Sequence, residues 1–333
     1  MKRFFLYSVA YLMCATAVLF LFREHPNYQI WDAGRRTAKT MIAFVHYLPY
    51  IIGGFIVLYL ISKQLFSKKT LAEMGWAFAG CLVFSSAFTF MKTSLPYIIP
   101  FYADPLFADI DKALHGGVDP WVFTHSFAQY LNADLISVLY FAIWGLPAAF
   151  FPFLLAATDN DANRKARFLL LFGFVWIGLG NFLAYMGSSV GPVYYDRLIG
   201  GERFADLILA LETSGITGTH IGTVQYGLWK VFTEHTQMVG SGISAFPSVH
   251  NGVATLVMLY LWERSKWLAP VGIAFSAAIL FASVYVGWHY AIDGYVSIIL
   301  VTAVWYGLRK ALPDGKTAPS KPCKTPELEG ALA

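Results

Sequence analysis

From end to end the chain repeats stretches of about twenty apolar residues almost free of charge, and that pattern leaves few folds open. A bilayer core offers no water to satisfy backbone N–H and C=O groups, so such stretches must close their hydrogen bonds internally, as helices. Eight windows qualify, at 4–22, 41–61, 75–91, 135–157, 168–186, 243–262, 268–287 and 291–308. Composition agrees. Hydrophobic residues make up 57% and charged residues 13% of the 333 positions, with mean hydropathy +0.55, whereas a soluble domain is roughly one quarter charged. The expected architecture is an all-α polytopic membrane bundle of about eight transmembrane helices. It forms one membrane domain over residues 1–310, followed at 311–333 by a tail rich in Pro, Lys, Gly and Thr that is expected to be disordered.

The basic residues orient this bundle. Lys2/Arg3, Lys63/Lys68/Lys69, Arg164/Lys165/Arg167, Arg264/Lys266 and Arg309/Lys310 fall on alternate ends of successive windows, in short connections. The positive-inside rule assigns those connections to the cytoplasm. Both termini are then cytoplasmic, and the long loops 23–40, 92–134 and 187–242 lie outside, in the arrangement expected of a bacterial inner-membrane protein. Arg35, Arg36 and Lys39 are a local exception to the rule. The first window reads as a retained anchor, although Lys2-Arg3 before an apolar run and Ala15-Thr-Ala17 also fit a cleaved signal peptide. Cys14 and Cys81 fall inside windows and Cys323 in the tail, which gives no exported disulfide framework. A net charge of +4 is ordinary for a membrane protein and offers no basis for nucleic-acid binding.

Two outer loops are too long to be simple connections. Leu106, Phe107, Ile110 and Leu114 share a helical face from which Asp104, Asp109 and Asp111 are absent, a pattern suited to a helix in the headgroup layer. In the second long loop, 203–212 and 223–236 read as short amphipathic helices around a Gly/Thr-rich stretch at 215–223. These segments either cap a site or simply pack on the bundle.

The chemistry concentrates in Gly240-Ser-Gly-Ile-Ser-Ala-Phe-Pro-Ser248-Val-His250-Asn-Gly252. Pro247 fits the first turn of a helix, with Ser244 able to cap it. The free N–H groups of such a start attract anions. Gly240, Gly242 and Gly252 permit close backbone approach, Ser248 adds a hydroxyl and His250 an imidazole. Further on, His289 precedes Asp293 by one helical turn, so the carboxylate can fix one ring nitrogen and leave the other free to attack. By the predicted topology both histidines share the outer face. Two imidazoles and a carboxylate beside an anion-binding loop point to phosphate-ester chemistry through a phosphohistidine. Trp121 and Trp288 suit an aromatic belt, Trp288 also the wall of a site. His25, His46, His115, His125, His220 and His235 make no ligand pair at metal-binding spacing, so no metal and no other cofactor is expected.

These residues resemble a known family. Ser244–Gly252 with Gly287–Asp293 is similar to the second and third motifs of the type 2 phosphatidic acid phosphatase superfamily, over roughly 168–308. The Phe-Pro-Ser-x-His form, with His-Tyr-x-x-Asp, looks most like its branch containing fungal inositol phosphorylceramide synthase. The resemblance implies that His289 is the nucleophile, Asp293 orients it, His250 protonates the leaving oxygen and Ser248 helps hold the phosphate, without metal. Departures accompany it. Ser283 stands where many members carry an Arg, and Gly191-Pro192-Val-Tyr194-Tyr195-Asp196-Arg197 replaces the usual first motif. Arg197 is therefore the first candidate for neutralising phosphate charge and Lys92 the second; a salt bridge to Asp196 or a lipid headgroup contact is the rival role for Arg197.

The function expected is a membrane-embedded lipid phosphatase or phosphotransferase acting at the outer face, with water or an alcohol such as inositol or a lipid hydroxyl taking the phosphoryl group. The alternative to a hydrolase is an inositol- or headgroup-phosphotransferase of the sphingolipid or phospholipid synthase kind. Its partners are a lipid phosphate or phospholipid, a possible alcohol acceptor and membrane lipids. A transporter is disfavoured because the windows are almost free of ionisable residues. An inactive lipid-binding scaffold is the third reading, prompted by the missing Arg.

Overall fold

The computed structural model describes residues 1–28, 30–31, 34–35, 67–235 and 242–314, and every regular element among them is helical. The window 41–61, Lys63, Arg36, Lys39, His46, Gly240, Cys323 and most of the tail lie outside the described residues. Five helices among the described residues are long and apolar enough to cross a membrane: α1 (Lys2–Phe22), α2 (Lys68–Ile98), α5 (Ala133–Thr158), α6 (Ala162–Met186) and α12 (Ala291–Ala311). Between and beside them run α3 (Asp104–Leu114), α4 (Pro120–His125), α7 (Pro192–Ile199), α8 (Ala205–Thr213), α9 (His220–Thr233), α10 (Val249–Arg264) and α11 (Ala269–Tyr285).

Among the described residues, helices of spanning length form at five of the eight windows. Of the two windows at 243–262 and 268–287, the first forms a helix of 16 residues and the second one of 17, short of the roughly 20 that cross a bilayer upright. The loss in α10 is at its start. Residues 242–248 are not helical, the Phe246–Pro247 bond is cis, and the helix begins only after Ser248. Ser248 Oγ accepts from Asn251 N at 3.3 Å and is the true cap, so Pro247 precedes the first turn rather than occupying it.

α10 is the central helix and packs against α5, α6, α11 and α12. It buries Val249, Val253, Ala254, Leu256, Leu259 and Tyr260 together with Asn251 and Thr255, as a helix enclosed by others does. Gly252 lets α6 come close, because a Cβ there would lie 3.0 Å from Leu179 Cδ1 and Val175 Cγ1. The outer helices present the opposite picture. Tyr7, Met13 and Leu21 on α1 are 72%, 69% and 76% exposed, a surface that suits hydrocarbon and not water.

Two helices carry π-helical turns, α5 at Val138–Ile143 and α6 at Phe174–Leu183. In α5, Phe150 leaves helical geometry (φ −125°, ψ 19°) two residues before Pro152, whose ring clashes with the carbonyl four residues back.

The two ends of the bundle differ. At one end meet the start of α2, the α5–α6 and α10–α11 turns and the end of α12, and with them the basic residues. There Arg167, 1% exposed, pairs with buried Glu263 and with Asp314, Arg164 pairs with Asp159 at 2.6 Å, and Lys165 with Glu73 at 3.0 Å. Trp305 Nε1 donates to Glu263 Oε1 at 2.7 Å. At the other end, the start of α10, the α11–α12 turn and the last turns of α2 come together beneath α3, α4, α7, α8 and α9. The expected loop helices thus form, at Ala205–Thr213 and His220–Thr233.

α3 also forms, with a difference in its polar residues. Of the expected apolar face, Leu106, Ile110 and Leu114 are 59%, 39% and 66% exposed while Phe107 stacks on Phe246 at 4.3 Å, and Asp104 and Asp111 are buried at 0% and 2%. These carboxylates face inward because backbone donors await them. Asp104 accepts from Val190 N and Gly191 N, both at 2.9 Å, and Asp111 from Ala291 N at 2.9 Å and Ile292 N at 3.1 Å. Burial raises both carboxyls above the ordinary aspartate range, and the N–H bonds they accept pull them back.

Candidate active site

His250 enters the site from the first turn of α10, and His289 from the short turn between α11 and α12. That turn depends on Gly287 at φ +72°, a conformation open to glycine. Their rings meet, with His289 Nε2 3.4 Å from His250 Nδ1. Behind His289 stands Asp293, at N3 of α12, whose Oδ2 lies 3.3 Å from His289 Nδ1 and accepts Tyr290 N–H at 3.0 Å. One carboxylate oxygen therefore fixes both the imidazole and the start of the helix that carries it.

Burial, then the Lys92 cation, hold the His289 imidazole down to about 3, against a smaller opposing contribution from the Ala245 backbone. The ring is neutral at physiological pH. With Nδ1–H directed to Asp293, the Nε2 lone pair faces His250.

His250 is held on both faces. Trp144 stacks at 4.0 Å between centroids and Tyr140 at 4.4 Å. Trp144 Nε1 also donates to the His250 carbonyl at 3.0 Å. Tyr140 lies within the π-helical turn of α5 and Trp144 directly after it. Sequence reasoning missed both, since in a chain so rich in aromatics nothing marks a clamp from a membrane-facing ring.

The histidines open onto a cavity of about 340 Å³. Its polar end is formed by His250, His289, Ser244 and Lys92, and its walls by Phe84, Phe88, Phe172, Trp176 and Trp288, with Tyr194 from the first motif. Lys92 lies under Gly242, which adopts φ +110° and where a Cβ would meet Lys92 Cγ at 2.8 Å. That glycine is required for the close approach.

Three expected assignments change. Ser248 is fully buried, does not line the cavity, and is engaged by Asn251 N and by Asn251 Nδ2 at 3.1 Å. Ser244, expected to be the cap, lines the cavity instead. The two serines exchange roles because the helix starts after Ser248. Arg197 is exposed, with its guanidinium 5.7 Å from the Trp229 ring centroid, and does not reach the cavity. Lys92 is the only Lys or Arg among the described residues that line it. Ser283, standing where an Arg was looked for, is buried and takes a hydrogen bond from Asn251 Nδ2 at 3.2 Å.

The first motif does not supply the cation but builds the floor. Val193 N donates to Gly287 O at 2.8 Å, and Gly191, at φ +84°, sits against the Trp288 carbonyl where a Cβ would overlap it. His125 donates from Nε2 to Tyr285 O at 2.8 Å, holding the end of α11. Among the described residues no group of three or more His, Cys, Asp or Glu is arranged to hold a metal ion.

A helical membrane bundle with two facing histidines, an aspartate behind one of them and a lysine above an apolar cavity defines a class of phosphate-handling enzyme. The PAP2 superfamily model matches residues 105–307, more than half of the chain and all of the His–His–Asp constellation, and the chain belongs to that superfamily. It is accordingly a phosphatase-type lipid enzyme, a phosphoric ester hydrolase or phosphotransferase for phosphorylated lipid or small-molecule substrates. No curated protein and no solved structure matches it.

Proposed function

We propose that the chain transfers the phosphoryl group of a membrane lipid through a phosphohistidine on His289, at the non-cytoplasmic face of a single membrane domain of eight spans. The observation that carries this reading is the alignment of Asp293 Oδ2, His289 and His250 at 3.3 and 3.4 Å, opening on a cavity with a polar end and apolar walls.

In this mechanism the lipid phosphate lies with its charged oxygens toward Lys92, Ser244 and the first-turn N–H groups of α10, and its apolar part among Phe84, Phe88 and Phe172. The Lys92 cation offsets charge that would otherwise repel the incoming lone pair. His289 Nε2 attacks phosphorus. The bond to the leaving oxygen breaks, and that oxygen takes a proton from His250. Asp293 steadies the positive charge that develops on His289. In the second step His250 takes a proton from water or an alcohol, whose oxygen displaces His289 from phosphorus.

The acceptor decides between phosphatase and transferase. The aromatic walls, and the likeness of the motifs to the inositol phosphorylceramide synthase branch, favour an alcohol. Purified protein given a labelled lipid phosphate and quenched in base should retain label on His289, acid-labile and absent from His289→Ala. Label appearing as free phosphate marks the hydrolase, and label in an added alcohol the transferase. Wild-type turnover in His289→Ala would refute the mechanism.

A further inference from the structure

The buried aspartates of α3 have no part in the mechanism above, yet they grip the two loops on which it depends. Asp104 and Asp111 lie two helical turns apart on one face of α3. Asp104 takes the N–H groups of Val190 and Gly191 at the head of the first motif, and the Tyr290 hydroxyl at 3.0 Å. Asp111 takes the N–H groups of Ala291 and Ile292, one on each carboxylate oxygen. Those two are the first donors of α12, which no carbonyl of that helix can reach.

We propose that Asp111 is a positioning residue that keeps Asp293 free to serve His289. The start of α12 presents a cluster of N–H donors and the positive end of the helix dipole, both strong attractions for a carboxylate. Asp293, in the first turn, is the nearest carboxylate in sequence. It already takes Tyr290 N–H on Oδ2 while the same oxygen holds His289 Nδ1. With Asp111 on Ala291 and Ile292, those donors are satisfied and Asp293 is not drawn further into the helix end. Without Asp111, the Asp293 carboxyl lies beside two unpaired buried donors. Turning toward them takes its oxygen away from His289, and the imidazole loses the partner that fixes its tautomer. Asp104, through the Tyr290 hydroxyl, holds the residue between His289 and α12 from the same helix. α3 thus acts as a clasp across the first and third motifs.

This inference rests on the phosphohistidine reading, and a double-mutant cycle tests it with the full-length protein in detergent micelles containing a lipid phosphate. Asp111→Ala should lower kcat by about ten- to a hundredfold with KM within about twofold, because substrate contacts are untouched. Asp111→Asn, isosteric and with one acceptor oxygen left, should fall between it and wild type. In an Asp293→Asn background the further loss from Asp111→Ala should shrink to less than about threefold, since Asp111 acts only through Asp293. A merely structural Asp111 would cost the same factor in both backgrounds, and that result overturns the proposal. Should Asp111→Ala fail to fold, the same cycle with Asp111→Asn gives the answer. His289→Ala, measured in parallel, separates the two ideas. If it is inactive while the aspartates behave independently, the clasp alone is wrong; if it is active, both fall.

Discussion

Replacing Lys92 by Met removes one charge while keeping the length and most of the volume of the side chain. The structure makes this the most revealing single change, because Lys92 is the only Lys or Arg among the described residues lining the cavity, whereas Arg197 is exposed and outside it. A unit charge about 4 Å from a phosphoryl oxygen contributes about 4 kcal/mol at an effective dielectric constant near 20. Each 1.36 kcal/mol in the barrier is about a factor of ten. Allowing half of that energy to be recovered by Ser244 and the α10 N–H groups, kcat/KM should fall by about thirtyfold in Lys92→Met. Arg197→Met should change it by less than about twofold. The assay is initial-rate phosphate release or label transfer from a lipid phosphate in mixed micelles. The pH profile gives a second, independent reading. Lys92 is the second cause, after burial, that holds His289 down to about 3. Without it the folded value rises toward, but not to, the ordinary 6.5, since burial remains. The nucleophile must be unprotonated, so a higher value moves the acid limb of kcat/KM to higher pH. Comparison with wild type on the same substrate cancels the ionisation of the phosphate itself. A larger loss in Arg197→Met than in Lys92→Met, or an acid limb that moves downward, would refute the assignment.

Three further changes separate catalysis from stability. Trp144→Leu removes both the ring against His250 and the N–H bond to its carbonyl; kcat should drop about tenfold through misplacement of the acid, and an unchanged kcat would show that the clamp is only packing. Gly191→Ala places a Cβ at φ +84° against the Trp288 carbonyl. It should cost about 2 kcal/mol or more, visible as a lower melting temperature in detergent, together with reduced turnover because Trp288 adjoins His289. Arg167→Met strands Glu263, 1% exposed, with Trp305 as its remaining partner. It should destabilise by about 3–5 kcal/mol, while the surviving folded protein keeps its kcat, because this pair lies at the opposite end of the bundle from the histidines.

Much of the architecture was legible in the sequence because hydrophobic length is a local property. The windows 4–22, 75–91, 135–157, 168–186 and 291–308 all fall within α1, α2, α5, α6 and α12, although α2 extends seven residues beyond its window at each end and α6 begins six residues before its own. The His–Asp relation holds at the expected spacing but not on a helical turn. His289 lies in the turn before α12, and Asp293 at N3 reaches back over the helix start, its Oδ2 taking Tyr290 N–H and lying 3.3 Å from His289 Nδ1. The start of α10 lies a few residues later than its sequence suggests. Pro247 and Ser244 satisfy local rules for a first turn, but the extended 242–248 segment is held from afar, by Ala245 N donating to Ser189 O at 2.9 Å and Phe246 N to Ser189 Oγ at 3.1 Å. Nothing in the segment itself reports those partners.

The charged residues show where sequence reasoning reaches its limit. Arg197 was preferred to Lys92 on chemical grounds that are sound for a phosphate, because a guanidinium binds two oxygens and an ammonium one. Chemistry ranks candidates only once they reach the same place, and reach is decided by packing. Lys92 comes to the histidines because α2 runs past them and Gly242 leaves room above it. Arg197 points away because its helix is anchored through the opposite side, where Tyr194 donates to the Gln225 carbonyl at 2.9 Å and Val193 to Gly287. The α3 aspartates make the same point in reverse. Seven residues apart, they share one face of α3, away from exposed Leu106, Ile110 and Leu114. What they bind is backbone, and a backbone N–H has no letter in the sequence. A site assembled from helix ends is therefore visible through its imidazoles and carboxylates, while the contacts that hold those helix ends in register are invisible until the chain is folded.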